Sequence, residues 1–258
     1  MKKKLTLTAI LAVALLISII FASFTYAWLF SGDIARGMEY SIAKIDSSVI
    51  LYRANDDNLN GIPNRLDENI NEEYYLEQYS FTQLGDEKFA LSEDSEANML
   101  TDIVITDAFP TQNYTFKYSL VNKSTAENLI TFKLVGGEWD DTALLSTLSF
   151  RLGIVTAEAP DSVATVDFGQ EIFLADHING GTLEDTVITA SSDAIYIDGM
   201  SGAETPDNYC DFWLQIEMES YETLSAHPGF TLSEEEYNAL QGKTVSIPNL
   251  YIYFEIVV

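Results

Sequence analysis

A disulfide framework is excluded at once, because the 258 residues contain one cysteine, Cys210. Histidine is almost as scarce: with His177 and His227 alone, a zinc site built from Cys and His would use every such residue in the chain. Basic residues are few as well. Thirteen Lys and Arg stand against 40 Asp and Glu, a formal charge of −27, and a phosphate-binding surface needs clustered Lys and Arg, so nucleic acid is excluded as a partner. No internal repeat or low-complexity tract organises the chain. What is abundant is apolar and aromatic: 47% hydrophobic residues, with Tyr and Phe at 14 each, far too much for a disordered acidic tail. A large packed core is therefore expected, with Cys210 serving as a small apolar residue within it.

The amino terminus carries its own signal. Lys2, Lys3 and Lys4 precede an apolar run from Leu5 to Phe24, the pattern of an export signal or a membrane anchor, with the lysines held on the cytoplasmic side. Thr25 and Ala27 occupy the −3 and −1 positions of a small-x-small cleavage site. Cleavage makes residues 1–27 a signal peptide and Trp28 the first mature residue; retention makes them an anchor. In either case the rest of the chain is delivered outside, and residues 5–24 are its one expected contact with a membrane.

The remainder, residues 28–258, reads as one mainly β domain. Met38 to Tyr52 supplies β-branched and apolar residues for one or two strands. From Ala54 to Asn98 twelve acids face only Arg65 and Lys88, so this stretch is expected to be a long acidic insertion leaving the core, with a short helix or strand at Glu72 to Tyr79. Alternation then becomes clear in Tyr114 to Leu120, expected as a half-buried strand, and in Ile130 to Leu134, expected as its hairpin-like partner across the polar turn Asn122 to Asn128. Further strands are expected at Ile103–Ile105, Leu148–Val155, Val163–Phe168, Val187–Ala190, Ile195–Ile197, Phe212–Met218 and Leu250–Val258. In the last of these, Leu250, Ile252, Phe254, Ile256 and Val258 share one face. Ser233 and Glu236 form a capping box ahead of Tyr237 and Leu240, with Gly242 placed to end a short helix. The sum is a jelly-roll-like antiparallel β-sandwich with a few short helices.

One loop has the spacing of a ligand site. Asp56, Asn58, Asn60, Gly61, Ile62, Asn64 and Asp67 fit the D-x-[DN]-x-[DN]-G opening of a calcium loop, with oxygens converging at alternate positions, Gly61 permitting the turn, and Ile62 offering its carbonyl. The string also resembles a thrombospondin type 3 calcium repeat. Asn in place of Asp at 58, 60 and 64 leaves little charge, so Ca2+ affinity is expected in the range of about 10⁻⁴ to 10⁻³ M. An Asn- and Asp-rich turn without an ion is the alternative. No other catalytic pattern is present: no H-E-x-x-H, G-x-S-x-G, phosphate loop or C-x-x-C. Peptidase and glycosidase activity therefore have no motif behind them, and Glu217 with Glu219 reads as an exposed strand face. Trp139, Tyr209 and Trp213 read either as core or rim residues or as a sugar-stacking platform.

The segment Ser23-Phe24-Thr25-Tyr26-Ala27-Trp28-Leu29-Phe30 resembles the boundary cut by SipW-type signal peptidases in the TasA and camelysin family of extracellular fibre and biofilm-matrix proteins. Pro110, Tyr114, Phe116, Leu120, Asn122, Ser124, Phe132 and Leu134 are similar to that family's strand, Asn-containing turn, strand unit. Leu29 departs from the aromatic pair usual after the cut, and the insertion at 54–98 is a second departure. The resemblance implies a jelly roll whose amino-terminal segment completes the sheet of the next subunit. Here the donor is expected within Trp28 to Ile50, against the alternative that this segment is the first strand of its own domain. The expected function is that of a secreted, surface-associated structural protein, a fibre or biofilm-matrix subunit, with itself or other matrix proteins as partners and a signal peptidase during export. The alternative is a monomeric, calcium-stabilised sandwich that binds a glycan or host ligand.

Overall fold

A computed structural model describes residues 44–64, 79–94, 96–138, 141–156, 165–190, 194–199 and 208–257. The expected signal peptide, Trp28 to Ala43, Asp67, Glu72 to Gln78 and Trp139 lie outside the described residues. In chain order the strands are Ile45–Ala54 (β1), Phe81–Gln83 (β2), Lys88–Ser92 (β3), Glu96–Ala108 (β4), Asn113–Asn122 (β5), Asn128–Leu134 (β6), Gly137–Glu138 (β7) and Leu148–Thr156 (β8). Then come Thr165–Phe168 (β9), Ile172–Phe173 (β10), Ile178–Asn179 (β11), Thr182–Leu183 (β12), Thr186–Ile188 (β13), Ile195–Ile197 (β14), Tyr209–Met218 (β15) and Lys243–Ile256 (β16). Among the described residues, three short helices, Thr142–Leu145 (α1), Tyr221–Leu224 (α2) and Glu234–Asn238 (α3), and one 3₁₀ turn, Leu174–His177, interrupt them.

All described strand pairs are antiparallel. The larger sheet runs β10-β8-β15-β5-β1-β2, with β3 also on β1 and β9 also on β8; the second runs β13-β6-β16-β4, with β14 also on β6. A small three-stranded sheet joins β11, β12 and β7. The two main sheets face each other as a mainly β sandwich. One face of each supplies the core: Phe116, Tyr118 and Leu120 of β5 and Phe212, Leu214 and Ile216 of β15 meet Ile130, Phe132 and Leu134 of β6 and Leu250, Ile252 and Phe254 of β16, all essentially inaccessible to water. Tyr118 and Phe212 pack against Phe132 across the gap, with ring centroids 5.3 and 5.1 Å apart. The shared inner face expected at the carboxyl-terminal strand is therefore present over Leu250 to Ile256.

The expected hairpin at residues 113–134 is corrected. β5 belongs to the larger sheet and β6 to the second, so Asn122 to Asn128 is an arch between layers. A buried polar network turns that corner: the Asn122 carboxamide oxygen accepts from the Ser124 N–H (2.9 Å) and hydroxyl (2.6 Å) and from the Asn128 side-chain amide (3.1 Å). Asn122 in turn donates to the carbonyls of Ala126 and Ile197, at 2.9 and 3.0 Å. Such side chains replace the ladder bonds that the backbone gives up at an arch.

The acidic stretch is corrected in part. Residues 81–83 and 88–92 form β2 and β3 on the far edge of β1, so that portion extends the sheet. The capping box of α3 is as expected, with Ser233 and Glu236 each accepting a backbone N–H of the other, and Gly242 follows with a φ of +74° that glycine adopts freely. β16 starts earlier than expected. Its register slips between Ile247 and Leu250, where Pro248 cannot donate to a ladder and Asn249 takes a φ of +59°.

Candidate functional site

The outer face of the larger sheet carries the residues with chemistry. Strand alternation sends Thr115, Lys117 and Ser119 of β5 and Asp211, Trp213, Gln215 and Glu217 of β15 away from the core. The registers set Lys117 opposite both Trp213 and Tyr52, and Gln215 opposite both Thr115 and Arg151. This face is not solvated. Thr115, Lys117, Ser119, Asp211 and Trp213 are all buried, so the expected half-buried strand at Tyr114 to Leu120 is covered on both sides.

Two layers provide the cover. One is an aromatic cluster: Tyr79 and Phe81 pack edge-on to Trp213 at 5.4 and 5.5 Å, joined by Val155, Val166 and Phe168. Trp213 is only 5% exposed, which removes it from any sugar-stacking platform and leaves its indole N–H without a hydrogen-bond partner among the described residues. Tyr209 remains exposed on this face.

The other cover is the calcium-like loop. Asn55 and Asn64 close its neck, the Asn64 N–H donating to the Asn55 carbonyl at 2.7 Å and both residues bonding Ser80. Within it, the Asp56 carboxylate accepts the N–H of Asn58 (3.0 Å) on one oxygen and that of Gly61 (2.8 Å) on the other. Asn60 accepts from the Ile62 N–H at 2.9 Å, and Asn64 from that of Asp57 at 3.5 Å. Thr115 and Gln215 then fasten the loop to the sheet by donating to the Gly61 carbonyl, at 2.8 and 3.0 Å. The predicted donors at 56, 58, 60, 62 and 64 thus share one loop, with Ile62 projecting from it 60% exposed, and Asp67 lies outside the described residues. The acceptor oxygens of Asp56, Asn60 and Asn64 turn toward backbone amides. Among the described residues no group of three or more Asp, Glu, His or Cys side chains could hold a metal ion; the donor chemistry is one carboxylate with amide and carbonyl oxygens, which fits a hard cation weakly.

At the lower end of the same face, Glu217 and Glu219 are not the exposed pair expected. Glu219 is 7% exposed and accepts from the Ser149 hydroxyl at 2.5 Å. Burial, then the neighbouring Glu219 and Glu171, push the Glu217 carboxyl above the usual range; burial does the same for Glu219, against the lowering bond from Ser149. Nearby, His227 bonds Asp176 at 2.8 Å and stacks on Phe173 at 3.9 Å, tying the 3₁₀ turn to the chain after α2. Sequence reasoning gave His227 no role. Cys210 packs partly buried against the main core, and burial followed by the adjacent Asp211 charge pushes its thiol up to about 12, which makes it a packing residue and not a nucleophile.

The centre of the face was missed entirely by sequence reasoning. The Lys117 ammonium lies 3.7 Å from the Asp211 carboxylate, with the two side chains 11% and 1% exposed. It also lies over the rings of Tyr52 and Phe81, at 4.5 and 5.1 Å. The only sequence signal was a Lys at a strand position flanked by aromatic residues.

The chain matches no protein-family model and no curated protein. No helix among the described residues is long and apolar enough to cross a membrane.

Proposed function

We propose that this chain is a secreted structural protein of the cell surface or extracellular matrix, a fibre or biofilm-matrix subunit that acts through contacts with itself or other matrix proteins. The observation that carries the reading is the amino-terminal series of three lysines, an apolar run and Thr25-Tyr26-Ala27, which routes the chain out of the cell and resembles the TasA and camelysin boundary. The sandwich adds support through its edges. β4 pairs with β16 on one side and with no other described strand, and exposed apolar residues gather on β3 (Phe89, Leu91) and β4 (Leu100, Val104). A free edge of this length is a template for a further strand. Lys88 partly guards it by donating to the Leu100 carbonyl at 3.0 Å.

The donor must be shorter than Trp28 to Ile50. Ile45 to Ile50 already lies in β1, between β5 and β3 of its own sheet, so the segment available to a neighbour is Trp28 to Lys44. Deleting Trp28 to Gly37 should leave a folded monomer, while the intact exported protein forms concentration-dependent oligomers or filaments under electron microscopy. Salt or Ca2+ should promote growth by screening the negative charge.

The rigidly fastened loop at 55–64 favours one second reading, a monomeric calcium-stabilised module that binds a glycan or host ligand. A strictly monomeric exported protein at high concentration, with and without Ca2+, supports this module and overturns the fibre subunit. Calcium at the loop is tested by melting temperature, which should rise with Ca2+ in the wild type. An equal rise in Asp56→Ala would assign the effect to general screening.

A further inference from the structure

We propose that Lys117 and Asp211 are a site of intramolecular cross-linking, at which the lysine amine and the aspartate carboxyl condense to an amide that joins β5 to β15. The inference does not depend on the fibre reading.

Three observations carry it. The two groups face each other on neighbouring strands, with Lys117 Nζ 3.7 Å from Asp211 Oδ2, so the amine and the carboxyl it would attack are held side by side. Both are withdrawn from water, and two buried charges are costly unless hydrogen bonds satisfy them. Among the described residues the Asp211 oxygen nearest the amine, Oδ2, accepts no hydrogen bond, and the Lys117 ammonium lies over the rings of Tyr52 and Phe81. The other oxygen, Oδ1, accepts from the Tyr209 hydroxyl at 2.5 Å.

The arrangement assigns each atom a part. The ammonium passes a proton to Oδ2, leaving an amine free to attack beside a protonated carboxyl. Nζ attacks Cγ, and Oδ1 takes the developing negative charge under the Tyr209 hydroxyl, which acts as an oxyanion donor. Nitrogen then passes a second proton to the Oδ2 hydroxyl, the Cγ–Oδ2 bond breaks, and water leaves as the Oδ1 carbonyl re-forms. One C–N bond forms and one C–O bond breaks. The ammonium and carboxylate become an amide and one water, with no oxidant, cofactor or external acid. The aromatic cover excludes the water that would reverse the step, and the chain gains between two strands the covalent tie that its single cysteine cannot supply.

Mass spectrometry of the intact, folded protein tests this directly. The wild type should be lighter than its sequence by one water, and digestion should yield a branched peptide linking Lys117 to Asp211. Lys117→Arg and Asp211→Ala should run at full mass. Tyr209→Phe should begin at full mass and convert about a hundredfold more slowly, the loss expected for one oxyanion donor. Wild-type protein at full mass, with a native near-ultraviolet spectrum and the two residues in separate peptides, overturns the cross-link and leaves a buried ion pair. A water loss that maps elsewhere, such as a succinimide at Asp198–Gly199, overturns it too.

Discussion

The two faces of the larger sheet are buried to a similar depth and made of opposite materials. Inward, β5 and β15 present Phe116, Tyr118, Leu120, Phe212, Leu214 and Ile216; outward, the same strands present Thr115, Lys117, Ser119, Asp211 and Trp213. The inner face is stable by dispersion and desolvation of apolar area, which need no particular partner. Beside the aromatic cluster on Trp213, the outer face keeps its order through specific partners: Thr115 and Gln215 holding Gly61, Tyr209 and Lys117 at Asp211, Ser149 at Glu219. Depth of burial alone therefore says little about what a substitution does. An apolar core loses contacts in proportion to the atoms removed, whereas a covered polar face loses whole interactions or gains by their replacement.

The largest effect should fall on the inner face. Phe212→Ala empties a position packed against Phe132, at about 3–5 kcal/mol. Thermal unfolding should show a drop of roughly 2–4 °C for each kcal/mol at this size. A loss below that of any outer-face variant would break the comparison.

Next comes the loop that roofs the outer face. Gly61 sits at a φ of +83°, and a Cβ there would lie 2.8 Å from the Asn113 carboxamide carbon and 3.0 Å from the Gln215 amide nitrogen. Gly61→Ala combines left-handed strain of about 1–2 kcal/mol with that crowding. It should lower the melting temperature and raise hydrogen exchange in residues 55–64 while the inner strands stay protected.

Much of the inner face was legible in the sequence, because alternation over Tyr114–Leu120 and Leu250–Ile256 names the side chains that share a face. β14 fell where its β-branched run and flanking Asp predicted, and the α3 cap followed from Ser233 and Glu236. Two things were hidden. Alternation identifies faces but not partners, so β5 and β6 read as a hairpin although the arch at Asn122 carries the chain to the other sheet. Polarity likewise says nothing of coverage: Lys117 looks like a solvent-facing residue until Tyr52 and Phe81, distant in sequence, close over it. Acid content also masked β2 and β3, because Asp86, Glu87, Glu93 and Asp94 stand in the segments beside the strands while Ala90 of β3 faces the core. Of the loop, the spacing of Asp56, Asn58 and Asn60 was readable, but not that backbone amides already engage their neighbours' oxygens.

A smaller effect of opposite sign should follow at Glu219. Its folded-state carboxyl titrates above the ordinary 4.5 because burial disfavours the charge. A raised carboxyl adds stability below its unfolded value, and that contribution is lost as pH rises through the folded value. Wild type should therefore be weakened near neutrality relative to Glu219→Gln, which keeps an acceptor for Ser149 without the charge. The gap in melting temperature should close as pH falls below about 4.5. A gap constant with pH would assign the effect to packing.

The smallest effect is expected at the most deeply covered aromatic residue of the outer face. Trp213 is nearly as inaccessible as Phe212, and by size alone its truncation to Phe should cost more than a conservative core swap. Its indole N–H, however, is buried without a partner among the described residues, and an unsatisfied donor carries a desolvation penalty of about 1–3 kcal/mol. Trp213→Phe removes that donor together with part of a ring, a loss of contact worth about the same as one or two buried methylenes at ~0.8 kcal/mol each. The two contributions oppose each other, so the melting temperature should stay within a few degrees of wild type, while the edge-on contacts with Tyr79 and Phe81 persist around the remaining ring. Differential scanning calorimetry of Trp213→Phe beside Phe212→Ala, adjacent residues on opposite faces of one strand, decides the matter. Equal losses in the two variants would mean that the outer face behaves as a second apolar core and that its unpartnered polar groups carry no energetic weight.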